Sequence, residues 1–232
     1  HLHRFREALD VWRHPFWEEN AVDELDSYCE FVQAMKEAGH PVKLGLEVDY
    51  VRGREDRIAA LIDGRPWDYV IGSVHFIADR AIDHEGYDAW LGAEPDAVWS
   101  DYFRALGAAA ASGLFDVLAH PDLVKIWGAK RPQPSRDLRA FYELAIDDIA
   151  RADVAIEVST AGLRKPVREI YPSRELLDMC LEAGRPVVLS SDAHQPDQLG
   201  YEYEAALEFL HAAGVESVSV FDRRKRSQEP LG

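Results

Sequence analysis

Thiols are scarce in this chain: Cys29 and Cys180 are the only two cysteines in 232 residues. They cannot form a disulfide framework, and a reducing, cytoplasmic compartment is expected. Long apolar runs are also missing. None approaches ~18 residues, so no membrane span is expected, and no signal peptide is visible. Positive charge is in short supply, with 26 Lys+Arg against 42 Asp+Glu and a net charge of −16. Such a surface repels phosphate backbones, so nucleic acid is not an expected partner. The one basic run, "DRRKRS" at 222–227, reads as a solvated tail. A glycine-rich phosphate loop is absent as well: "GLEVDYVRG" does not fit G-x-G-x-x-G.

What is present is alternation. Six β-rich runs, at 42–48, 69–76, 115–120, 154–160, 186–192 and 217–221, are separated by helical stretches at 54–62, 95–113, 135–152, 173–184 and 201–214. A further helical stretch, 21–39, precedes the first run. Ser135 and Ser173 are expected to cap helices, and Gly39, Gly113, Gly184 and Gly214 to close them. This order predicts an α/β fold with parallel strands, covered on both faces and joined by crossover helices. No linker divides the chain, so residues 1–232 are read as one domain, with loops at 77–94 and 123–134.

The polar residues sit at strand ends. The run at 42–48 ends near Glu47 and Asp49, that at 69–76 near His75, and that at 115–120 at His120, before Pro121 and Asp122. "VVLSSDAHQP" (187–196) ends a strand on Asp192, with His194 just beyond. In a parallel barrel such ends converge on one face, where active sites are built. Imidazoles and carboxylates without thiolates suit Zn²⁺, Mn²⁺ or Fe²⁺. His3, His14, His40, His84 and His211 lack this placement. A Ser–His–Asp triad on Ser190 or Ser191 fits poorly, because both serines lie within the strand rather than on a sharp turn.

"LGLEVDY", "YVIGSVHF", "DVLAHPDLVKIWG", "STAGLRKPVREIYPS" and "VLSSDAH" together resemble the polymerase-and-histidinol-phosphatase (PHP) superfamily, on its histidinol-phosphatase branch. The resemblance implies a distorted (β/α)7 PHP-type barrel holding up to three divalent metals. It also implies hydrolysis of a small phosphate ester, L-histidinol phosphate, in histidine biosynthesis by a metal-bridging hydroxide. Glu47 matches the bridging carboxylate, His75 and His120 the imidazoles of a second metal, Asp192 a ligand of the first, and His194 and His1 ligands of the third. Glu47 and Asp192 are thereby the catalytic carboxylates. Arg164, in "AGLRK", is expected to clamp the phosphate because guanidinium suits phosphate oxygens, with Lys165 as a second cation, and Asp122 is expected to orient a ligand histidine.

The family opens with a strand bearing His-x-His, and this sequence shows no such segment. The expectation is therefore a barrel lacking its N-terminal strand or strands, in a shortened or degenerate member that is weakly active or prone to associate. Another PHP-type phosphoesterase or nuclease, or an inactive interaction module, are the competing readings. Oligomeric state is not legible.

Overall fold

A computed structural model describes residues 1–232. The N-terminal part holds a 3-10 turn at Leu2–Arg4 and helices α1 (Ala8–Val11), α2 (Pro15–Asn20) and α3 (Leu25–Glu37). There follow β1 (Gly45–Asp49), α4 (Glu55–Ile62), β2 (Tyr69–Ser73), and the two-residue strands β3 (Phe76–Ile77) and β4 (Arg80–Ala81). Then come α5 (Pro95–Ala111), β5 (Val117–Leu118), α6 (Arg139–Arg151), β6 (Ala155–Ser159), α7 (Arg174–Glu182) and β7 (Val187–Ser190). The chain finishes with α8 (Tyr203–Ala212), β8 (Ser217–Asp222) and β9 (Lys225–Pro230).

Five strands form one all-parallel sheet in the order β1-β2-β5-β6-β7, with β1 and β7 as its edges. The period-two geometry of strands sorts their side chains. Leu46, Val48, Val70, Leu118, Ile156, Val158 and Val187 point to one face and join the helices in the main core of 51 buried residues. Val117 and Ala155 belong to the other face and pack with Phe221 of β8, flanked by Ile71 and Val188. That second face borders a hollow of about 740 Å³, so it is covered only in part, against the expectation of two fully covered faces. Helices α5 and α6 approach closely because Gly107 has no side chain: a β-carbon there would lie 3.2 Å from the Cα of Ala145.

The run at 217–221 is not a further parallel strand. As β8 it pairs antiparallel with β9. The basic run that read as a tail forms the turn and β9, and it latches the lower edge of the parallel sheet. Arg224 Nε donates to Asp116 Oδ2 (2.9 Å) and its Nη2 to the carbonyl of Leu114 (2.8 Å). The Arg224 N–H reaches the Asp68 carbonyl at 2.8 Å. Asp68, fully buried, accepts from Leu44 N–H (2.7 Å), Lys36 Nζ (2.7 Å) and Arg223 N–H (3.3 Å). One carboxylate thus ties α3, the start of β1 and the hairpin turn together.

Helices α3 and α6 start four residues later than expected. Residues before α3 are extended because Asp23 exchanges backbone hydrogen bonds with Arg4 and Arg6, and the Glu7 carboxylate then receives the Leu25 N–H. Ser173 stands at the N-cap of α7 without a side-chain capping bond, and Ser135 lies outside α6. Ser135 binds the Asp96 carboxylate through both N–H and hydroxyl, while Asp137 receives the Arg139 N–H at the start of α6. Ser173 pairs its hydroxyl with that of Tyr142. Segment 77–94, expected as loop, contains the β3–β4 hairpin.

Candidate metal centre

The upper strand ends and the N-terminal turn meet around Glu47. Its Oε2 lies 3.2 Å from His1 Nδ1, and its Oε1 lies 3.4 Å from His120 Nε2 and 3.7 Å from His75 Nε2. Three elements far apart in sequence therefore aim imidazole nitrogens at one carboxylate. On the far side of His1, its Nε2 is 2.9 Å from His194 Nε2, and His194 Nδ1 is 3.6 Å from Asp192. Two sets have all their ligand atoms within 4.8 Å of one another: His1, Glu47 and His75, and His1, Asp192 and His194. His1 belongs to both.

Asp49, two residues beyond Glu47, is buried beside them. Its Oδ1 lies 2.5 Å from His75 Nδ1, which leaves Nε2 of that ring facing Glu47. Such a carboxylate–imidazole pair fixes the tautomer of a metal-ligating histidine. Asp49 Oδ2 is 3.6 Å from His3 Nδ1. The backbone at two strand ends is in the left-handed region, with φ of 26° at His120 and 45° at Asp192. Non-glycine residues reach it only when their surroundings impose it, commonly at functional sites.

The electrostatics are those of a buried anionic cluster. Burial favours neutral forms, yet it is overcome at Glu47, where His1, His120 and His75 hold the carboxyl well below the usual range. Burial would likewise depress His1 and His75, but Glu47 raises His1 to about 9, and Asp49, with Asp83 and Glu47, raises His75 to about 9. His120 is also raised, burial being outweighed by the Glu47 carboxylate beside it. Glu157 of β6 accepts the His120 N–H (2.6 Å); burial first, then repulsion from Asp192, pushes it up to about 7 despite His120.

This donor set fits a metal. Glu47 Oε1, Asp49 Oδ2 and His120 Nδ1 are buried without a hydrogen-bond partner, and buried polar atoms are rarely left so. Mixed imidazole and carboxylate donors are those that Zn²⁺, Mn²⁺ and Fe²⁺ accept. A cavity of about 250 Å³ opens over the cluster, lined by His1, His75, His120, Asp192 and His194 and walled by Phe16, Asp83, His84, Lys165 and Tyr171. Glu47 and Asp192 also border the inner hollow.

The six residues expected as metal ligands thus lie around one centre. The two expected phosphate-binding cations diverge. Lys165 lines the cavity, whereas Arg164 turns into the chain: its Nη2 donates to the carbonyls of Ser191 (2.8 Å) and Asp192 (2.9 Å), and its guanidinium lies over Tyr201. Gly162 lets this "AGLRK" turn close, since a β-carbon there would collide with the Glu169 carbonyl. Asp122 orients no histidine; its Oδ2 takes the Ser173 N–H (2.7 Å) and Lys125 Nζ (3.0 Å). Sequence reasoning left out His3, Asp83 and His84, which line the cavity, and Glu157 beneath His120. His3 stands two residues after His1, and that spacing was the available signal for it.

Comparisons with known proteins bear on the family and the fold. The PHP domain family model matches residues 18–161. A Deinococcus radiodurans protein named "Probable histidinol-phosphatase" is 35% identical over 213 residues, covering 90% of this chain and 79% of that protein. Histidinol-phosphatase of Bacillus subtilis is 30% identical, over 72% of this chain and 68% of that protein. The solved structure of histidinol phosphate phosphatase from Lactococcus lactis, in complex with zinc, L-histidinol and phosphate, superposes with a TM-score of 0.70. It is 21% identical, covers 90% of this chain and 81% of that one, and attests the shared fold. The chain belongs to the PHP domain family, on the histidinol-phosphatase branch.

Proposed function

We propose that this protein is a metal-dependent phosphatase that hydrolyses L-histidinol phosphate to L-histidinol and phosphate. The observation carrying the proposal is Glu47, with one oxygen towards His1 and the other towards His75 and His120. Its relatives named histidinol-phosphatase supply the substrate. In this reading Glu47, His75, His120, His1, Asp192 and His194 hold up to three divalent ions, with zinc favoured by the Lactococcus lactis relative. When bound, such ions supply Lewis acidity and lower the pKa of a water molecule.

The chain's own groups do the rest. Glu47 offers both oxygens, and Asp192 extends the anionic set, so the two carboxylates carry the catalytic role. Asp49 holds His75 in the ligating tautomer. Lys165, at the cavity wall, donates to the phosphate oxygens as a point charge. Arg164 acts indirectly, by fixing the backbone that presents Asp192. The competing nuclease reading gains nothing from the basic run, because Arg224 and Arg226 are paired with Asp116 and Asp153. No helix is long and apolar enough to cross a membrane, and both cysteines are free and buried.

The test is metal analysis combined with phosphate release from L-histidinol phosphate, for the wild type and for Glu47→Gln. The variant should lose bound metal and fall by at least about 10³ in kcat, since the whole centre depends on its charge. Full turnover in that variant would remove Glu47 from the centre.

A further inference from the structure

The proposed chemistry makes no use of one buried carboxylate, Glu157 of β6. It forms no ion pair and belongs to neither set of converging ligand atoms. Two residues after Ala155, it points to the hollow side of the sheet and borders the hollow behind the metal centre, not the cavity above it. Its Oε2 accepts the main-chain N–H of His120 at 2.6 Å, across from the end of the neighbouring strand.

That amide has left the sheet ladder. Strand β5 ends at Leu118, and the Ala119 N–H still reaches the Gly72 carbonyl (2.9 Å). At His120 the chain turns into the left-handed region, with φ of 26°. The His120 carbonyl is held from the other side by the Leu123 N–H (2.9 Å) and the Tyr102 hydroxyl (3.3 Å). Glu157 is the partner of the N–H, in a residue only 3% exposed, where a lost partner is not replaced cheaply. A left-handed non-glycine residue persists only where its surroundings over-determine it. The φ torsion turns about the bond from that same nitrogen, so an acceptor that fixes the N–H also fixes where the imidazole is aimed, with Nε2 3.4 Å from Glu47 Oε1.

Charge is no reason for an acid here, because Glu47 and Asp192 border the same hollow and repel a third carboxylate. The bond needs only an acceptor of the right length. We propose that Glu157 is a positioning residue, which holds the left-handed main chain of His120 and so aims a metal-ligating imidazole, through its reach and not its charge. The inference rests on the metal-dependent reading of the centre.

Two substitutions separate reach from charge. Glu157→Gln keeps an acceptor oxygen at the same length and removes the charge. Glu157→Asp keeps the charge and withdraws the oxygen by one methylene. Zinc affinity is measured for wild type and both variants by competition with a zinc-binding dye. Turnover of L-histidinol phosphate is followed alongside, and melting of the chelated proteins establishes folding. The Asp variant should bind zinc about 10–100-fold more weakly, as expected when a ligand loses the group that orients it, and its kcat should fall. The Gln variant should bind zinc as wild type does. Wild-type affinity in the Asp variant, or a Gln variant as weak as the Asp variant, would overturn the assignment. So would failure of both variants to fold, which would give Glu157 to the fold alone. A wild type that binds zinc but leaves L-histidinol phosphate intact sinks the phosphatase reading, while the zinc affinities still decide the role of Glu157. An active wild type with an unimpaired Asp variant sinks only that role.

Discussion

Asp49 stands between two imidazoles, with Oδ1 2.5 Å from His75 Nδ1 and Oδ2 3.6 Å from His3 Nδ1. It is buried, and neither contact is to the Glu47 side of His75. Its task is to aim a ring rather than to meet a substrate. Asp49→Asn keeps the shape but removes the charge that fixes the tautomer, so zinc affinity should fall about 10–100-fold. Competition against a zinc-binding dye measures this, and unchanged affinity would reduce Asp49 to a packing role.

Removal of metal should be visible in stability. The metal-free centre leaves Glu47 Oε1 buried and unpartnered, facing His75 and His120. Zinc at about 1,000 times its Kd should add about 4 kcal/mol over the chelated protein. For a chain of this size that is a rise in Tm of roughly 10 °C by calorimetry. Equal melting curves with and without chelator would speak against a site formed by these residues.

The neighbouring cations Arg164 and Lys165 should separate cleanly. Lys165→Ala removes a charge from the cavity wall and should raise KM for the phosphate ester about tenfold. Arg164→Ala instead frees the Ser191 and Asp192 carbonyls, costing about 1–3 kcal/mol of stability. Urea unfolding and steady-state kinetics on both variants distinguish these outcomes, and a reversal would exchange their roles.

Asp68 predicts an acid dependence. Burial works against its ionisation, but Lys36, the Leu44 N–H and the Arg223 N–H hold its carboxyl below the ordinary range. Its contribution is therefore complete above the unfolded value of about 3.9 and is lost as pH falls through the lower folded value. Asp68→Asn should cost about 2–4 kcal/mol at pH 7, with the gap to wild type closing below about pH 4. A pH-independent gap would show that packing, not charge, is what the substitution disturbs.

The sequence made the ligand-bearing strand ends legible because strands have a simple period and several of their C-terminal edges switch abruptly from apolar residues to acids or imidazoles. Glu47, His75, His120 and Asp192 all follow that rule. His3 does not: it sits in a 3-10 turn whose place depends on buried Leu2 and on the pairing of Phe5 with Asp23, contacts without a periodic signature. Arg164 and Lys165 are adjacent in sequence, and only the turn at Thr160–Arg164 decides which one faces the cavity. The hairpin around "DRRKRS" was hidden for another reason. Its residues are mostly exposed and charged, as in a tail, and their partners Asp116 and Asp153 lie far back in the chain.

That hairpin latch bears on how the molecule is made. Arg223 follows Asp68 by 155 positions, so on a ribosome the carboxylate emerges long before its last partner does. Throughout that interval the base of β1 and β2 lacks its closing contact, and non-local closures of this kind are slow. Closure of the sheet's lower edge therefore has to wait until the turn at 223–224 has left the ribosome.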